Sequence, residues 1–243
     1  MDGSLTFKAR WQQCQRAFLQ GLENLAGSLH RKKEELFMEN TTQAKSPAKR
    51  ISVNTLVKIA ILSAVSVVVM FFSFPLPFAP SFYKLDLSEI PVLIGGFAMG
   101  PMAALIIEGL KNILNILIGG TTTAGVGEFA NFCMGCSLAI PASLFYKRNK
   151  SKKTALIGLA VGTVLLTIVG SALNYFVLLP AYSYFMKMDL SAFVSMGTKV
   201  NASITDLNTL VMFAVVPFNL LKGVVVSLIT VLIYKYISPL LKK

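Results

Sequence analysis

Long apolar runs constrain this chain more than any other feature, and the first clear one is Thr55–Ser73, TLVKIAILSAVSVVVMFFS. An α-helix needs about 20 mainly apolar residues to cross the hydrocarbon of a bilayer. There, every backbone N–H and C=O has to be satisfied internally, which leaves helices and closed barrels as the workable forms. The runs do not alternate polar and apolar residues as barrel strands do. The sequence therefore predicts an all-α membrane protein.

Six spans are predicted. Thr55–Ser73 stops at Pro75, Pro77 and Pro80. Ile90–Met99 is short, with a start drawn back toward Leu85, and Gly100-Pro101 breaks it from Met102–Ile118. Phe129–Tyr146, interrupted only by Pro141, is the fourth, Thr154–Leu179 the fifth and Leu210–Tyr236 the sixth. No close internal repeat is evident. Composition agrees, because only 14% of the 243 residues are charged, against roughly a quarter in soluble domains.

The net charge of +12 raises nucleic acid as a partner, but the basic residues cluster at span ends and no recognition motif accompanies them. Such clusters anchor helices against an anionic cytoplasmic leaflet. Lys45, Lys49 and Arg50 precede the first span. Lys147, Arg148, Lys150, Lys152 and Lys153 fill the loop after the fourth, and Lys242 and Lys243 close the chain. Six spans place all three clusters on one side, so both termini are predicted to be cytoplasmic. The loop at 181–208 is balanced, Lys187 and Lys199 against Asp189 and Asp206.

Residues 1–50 read as a cytoplasmic extension and 51–243 as the membrane domain. Leu19, Leu22, Leu25 and Leu29 make one amphipathic stripe, which suits a helix lying on a surface. The reading adopted is the plainer one, that Met38 is the true start and residues 1–37 are unstructured or not native. The leader has no uninterrupted apolar core and is not a signal peptide.

Several chemistries lack their residues. There is no G-x-x-x-x-G-K-[ST] for nucleotide phosphates. The single histidine, His30, lies in the leader, so no zinc protease motif or Ser-His pair is available within the spans. Three cysteines argue against a disulfide framework. Cys133-Met-Gly-Cys136 reads as two small apolar residues packing in a helix rather than a redox or metal pair. The glycine-rich stretch Gly119–Gly127 resembles a phosphate cradle by composition only, and a flexible outward loop explains it.

Polar residues inside a bilayer are costly and mark functional sites by default. Glu108 and Lys111, three apart, share a helix face and suit either an ion pair or a ligand role. Glu128 and Asn131 open the fourth span, where Glu128 complements a helix start and Asn131 can cross-link helices. Asn174, beside Tyr175 and Phe176, offers an amide donor and acceptor to a planar ligand, or simply joins helices. Asn219 and Lys222 follow Pro217 within the sixth span. Lys222 lies about a dozen residues inside, awkward for snorkelling, so it is assigned to an inward-facing ligand site. The outward loop FPLPFAPSFYKLDLSE suits a cover or an aromatic belt. Ala60 and Ala64 form a small-xxx-small stripe that lets another helix approach.

These strings resemble a known family. FPLPFAPSFYKLDLSEIPVLIGGFAMGP, IEGLKNILNILIGGTTTAGVGEFANF, NYFVLLPAY and PFNLLKG are similar to the S component, the substrate-binding membrane subunit, of an energy-coupling factor (ECF) vitamin transporter of the riboflavin type. The resemblance covers all six spans and has no counterpart for residues 1–50. It implies a six-helix subunit that captures riboflavin outside and docks on a transmembrane coupling protein with two ATP-binding subunits, which carry the ATP hydrolysis. The chain itself would be no enzyme and would need no cofactor, riboflavin being its transported ligand. Asn174, Asn219 and Lys222 would contact riboflavin, Leu85 and Asp86 of the outward loop would close over it, and Glu128 and Asn131 would add contacts. Ala60 and Ala64 would form the docking face. The rivals are another vitamin in the same fold, a solitary ion-coupled transporter using Glu108 and Lys111, and, more remotely, an intramembrane enzyme.

Overall fold

The structure, a computed structural model, describes residues 27–28, 52–77, 79–80, 82–121 and 123–242. Ser52–Lys243 forms one compact unit. The leucine stripe of the leader and the reading of Met38 lie outside the described residues.

Helix α1, Val53–Phe71, begins where Ser52 Oγ accepts the Thr55 N–H at 3.2 Å, a normal cap for an otherwise open helix start. It ends before the prolines, which cannot donate to a helix ladder. The chain then makes a small antiparallel ladder, β1 (Phe74–Pro75) with β2 (Lys84–Leu85), in the register Phe74↔Leu85 and Pro75↔Lys84. This hairpin is a departure from a purely helical expectation. Helix α2, Glu89–Met99, has only 11 residues, about 16 Å of helix. Its residues Glu89 through Phe97 are all buried, as befits a helix that is apolar all round.

Gly100, at φ +100°, turns the chain into α3, Pro101–Gly119. That backbone angle favours glycine, and the proline suits a first helical position. A Cβ at Gly100 would come 3.9 Å from Lys147 Cδ, so this turn lies at the same end as the basic stretch 147–153. Helix α4 spans Val126–Arg148 with Pro141 inside it, unbroken.

Helix α5 runs Lys152–Leu173, passes through a π-helical turn at Asn174–Leu178 and continues as Leu179–Met186. A short outer helix follows, α6, Leu190–Thr198. Helix α7 starts at Leu207–Leu210, has its own π turn at Val211–Val215 and continues as Val216–Lys242. Each π turn ends two residues before a proline, Pro180 or Pro217. A proline would clash with the carbonyl four residues back. The wider turn shifts the bonding instead, with Leu179 N–H donating to Asn174 C=O and Val216 N–H to Val211 C=O.

Among the described residues, five helical stretches are long and apolar enough to cross a membrane: Val53–Phe71, Pro101–Gly119, Val126–Arg148, Lys152–Met186 and Leu207–Ile237; α2 is apolar but shorter. Their outward faces carry exposed Leu56, Ile61, Val68, Leu117, Ile168 and Leu232. Inside, α2 is the axis of the core. Its Leu93 and Phe97 pack with Ile107, Leu138, Leu159 and Val226, and Phe97, Tyr146 and Tyr234 form an aromatic trio with centroids 4.9–5.6 Å apart. Small residues let the helices close up, since a Cβ at Gly162 would lie 2.5 Å from Leu138 C=O. Such approach matters in lipid, where apolar burial drives no association between helices.

Candidate ligand-binding site

A cavity of about 480 Å³ opens among α1, the outer loop, α3, α4, α5 and α7, within the usual range for small-molecule sites. Phe71, Phe82, Tyr83, Tyr182 and Phe218 give it aromatic walls, and Asn115, Asn131, Asn174, Asn219, Asp86 and Lys222 give it polar groups. Five of the seven residues assigned to the ligand from sequence meet here.

Asn174 sits at the first position of the α5 π turn. Its Nδ2 donates to Gly170 C=O at 2.7 Å, and its Oδ1 accepts from Tyr83 Oη at 2.9 Å. One Nδ2–H remains for a ligand. Burial, reinforced by Tyr182, pushes the Tyr83 phenol well above its usual range. It is therefore a neutral donor across the physiological range. Tyr83 in turn lies 4.4 Å from the Phe82 ring and 5.4 Å from Phe218. Phe82 meets Phe193 of α6 edge-on at 5.6 Å. The helical insert at 190–198 thus holds the loop that closes the cavity.

Asn219 is 4% exposed, and its Nδ2 is buried without a partner. Buried amides are nearly always satisfied, so an unpaired donor at a cavity wall is a place for a ligand acceptor. The fit is close, because a Cβ at Gly170 would lie 2.6 Å from this atom.

Lys222 lies some 22 Å along α7 from Leu207, at 1.5 Å per residue. Its Nζ donates to Asp86 Oδ2 at 2.9 Å. Asp86 also accepts the Ser88 N–H at 3.1 Å and the Ser88 hydroxyl. Lys222 therefore faces inward as an ion pair, and the loop residue Asp86 reaches deep into the bundle to meet it.

Leu85 and Glu128 do not line the cavity. Leu85 packs with Ala79 and Phe218 under the loop. Glu128 lies in the first turn of α4 and accepts from Thr121 Oγ1 at 3.1 Å. The same hydroxyl accepts from the Gly125 N–H at 2.9 Å, so the glycine-rich stretch is a tied turn that sets the start of α4. Ala60 and Ala64 are exposed on α1, while Ile59 and Ser63 face inward. Cys133 and Cys136 are free thiols on an apolar groove of α4 with Leu105 and Ile140.

Behind the cavity lies a second charged group. Lys111 Nζ is 2.7 Å from Glu108 Oε1 and 2.9 Å from Glu89 Oε1, with all three side chains at most 1% exposed. Sequence spacing paired Glu108 with Lys111 but missed Glu89, which comes from α2. An acid directly before the apolar string IPVLIGGF was the available signal. Sequence reasoning also missed Tyr83 and Asn112.

Residues 54–234 match the family described as the substrate-specific component of ECF transporters. A riboflavin transporter named RibU from Staphylococcus aureus (strain TCH60) is 37% identical over 188 residues, 77% of this chain and 92% of that protein. The riboflavin transporter FmnP of Bacillus subtilis (strain 168) is 33% identical over 190 residues, 78% and 94% of the two chains. A solved S component of a bacterial ECF transporter superposes with a TM-score of 0.60 at 36% identity, covering 78% of this chain and 98% of that one. With its five long apolar helices, this is a multi-pass protein of the cell membrane. The chain belongs to the ECF transporter family, as one of its substrate-specific S components.

Proposed function

We propose that this S component captures riboflavin from outside the cell and delivers it inward after docking on a transmembrane coupling protein with two ATP-binding subunits. ATP is hydrolysed in those partners, and this chain catalyses no reaction. The observation that carries the reading is the cavity itself, in which aromatic walls surround an unpaired Asn219 donor, a spare Asn174 donor and the Lys222 ammonium. Riboflavin has a flat heteroaromatic ring with carbonyl acceptors, one imide N–H and a polyhydroxyl chain. Amides and an ammonium match its acceptors, and aromatic side chains match its ring. The similar proteins named above are riboflavin transporters.

In this reading Asn174, Asn219, Lys222 and Asn131 touch the ligand. Asp86 holds Lys222, Leu85 seats the loop, and Glu128 steadies the turn beside Gly127. Ala60 and Ala64 form the docking face. The chain crosses six times with both termini cytoplasmic, residues 1–50 being an extension and 51–243 the membrane domain. The second crossing rests on α2, only about 16 Å long against a core of about 30 Å, and the non-helical backbone just before it is sheltered by protein, with Leu85, Asp86 and Ser88 all buried. An ion-coupled transporter is the weaker reading, because Glu108 and Lys111 are sealed in a salt-bridged cluster.

Titrating the purified chain with riboflavin tests the proposal. Saturable quenching of flavin fluorescence at one site is expected, with other vitamins failing to compete. Absence of quenching would overturn it, and gradient-driven uptake by the chain alone in vesicles would favour the ion-coupled reading.

A further inference from the structure

The orientation of the Asn131 amide at the cavity wall is imposed from behind. Asn131 Nδ2 donates to Asn112 Oδ1 at 3.0 Å. Asn112 Nδ2 in turn donates to Glu108 C=O at 2.8 Å and to Glu108 Oε1 at 3.0 Å. A carbonyl oxygen only accepts, and Oε1 is already facing the Lys111 ammonium at 2.7 Å. Asn112 must therefore turn its NH2 toward Glu108, which leaves its oxygen for Asn131. Asn131 must answer with its own NH2. Its Oδ1 is left over, and among the described residues no hydrogen bond ends on it. Turning either amide over would set oxygen against oxygen or NH2 against NH2, a poor exchange where Asn112 is 5% exposed and Glu108 fully buried.

We propose that Asn112 is a positioning residue for ligand selection. Through the relay Glu108–Asn112–Asn131 it presents Asn131 Oδ1 to the cavity as a fixed acceptor, so the site selects ligands carrying an N–H or O–H donor at that place. The cavity is then polarised, with an acceptor at Asn131 and an unpaired donor at Asn219, and a ligand with a donor and an acceptor at its two ends enters in one orientation. This inference rests on the riboflavin reading. Riboflavin offers two kinds of donor, the imide N–H of its ring and the hydroxyls of its side chain. The sealed Glu108–Lys111 pair thus acts on the ligand without touching it.

The test uses riboflavin, 3-methylriboflavin, which has no imide N–H, and lumiflavin, which has no side-chain hydroxyls. Each is titrated into the full-length parent and into Asn112→Leu and Asn112→Ser. The parent should bind one analogue about 10-fold more weakly than riboflavin, the worth of one hydrogen bond to a preset acceptor. In the Asn112 variants that ratio should fall toward one, because the Asn131 amide is free to turn, while the ratio for the other analogue holds. Circular dichroism and size exclusion in detergent establish that each variant is folded. Asn131→Leu, which keeps both bonds between Asn112 and Glu108, should abolish the same ratio and carries the test should the Asn112 variants not fold. Unchanged ratios for both analogues in the folded variants overturn the proposal. A parent that does not bind riboflavin at all overturns the riboflavin reading itself, a separate and visible outcome.

Discussion

Lys222 Nζ lies 2.9 Å from Asp86 Oδ2, joining the last long helix to the loop before α2. The lysine is 6% exposed and the aspartate 8%. Removing one partner of such a pair leaves a lone charge in a poor solvent, at a cost of about 3–5 kcal/mol.

Lys222→Met is therefore expected to destabilise the protein by about that amount and to weaken riboflavin binding at least 10-fold, as is Asp86→Asn. The double variant removes both charges and should recover much of the stability but not the binding. Thermal unfolding in detergent, paired with fluorescence titration, separates the two effects. A double variant no more stable than either single change would contradict the pairing.

Gly170→Ala probes the approach of Asn219. The added methyl would lie 2.6 Å from Asn219 Nδ2, and the end of that side chain is the part able to move. Stability should fall by about 1–3 kcal/mol, as for modest overpacking, while riboflavin binding drops roughly 10-fold because the donor is displaced. Equal affinity in the folded variant would remove Asn219 from the site.

Ala60→Trp and Ala64→Trp place bulk on an exposed stripe of α1. Binding by the isolated chain should stay within about twofold, since neither residue reaches the cavity, whereas uptake by cells should be lost. Normal uptake with either change would rule out this face as the docking surface.

How far the sequence could be read depends on the distance over which each feature acts. Helix positions and the Gly100-Pro101 turn are local signals, and they reappear close to where the residues put them, though the second apolar run makes a helix of only 11 residues. The ladder Phe74↔Leu85, Pro75↔Lys84 and the π turns escaped, because prolines announce a break without saying how the backbone goes around it. Lys222 was legible as an inward cation, but its partner Asp86 lies 136 positions away, beyond any helical spacing rule. The same holds for Glu89, which joins Lys111 across 22 positions and leaves Glu108 only half of a larger cluster.

The long reach of the Asp86–Lys222 contact bears on how the chain enters the bilayer. Glu89, Glu108 and Lys111 can neutralise one another within a single helical hairpin as soon as it emerges from the ribosome. Asp86 has no such local partner, for the ammonium that it touches lies 136 positions further on. That carboxylate can leave water only once α7 is packed, so the seating of the outer loop over the cavity depends on the packing of α7.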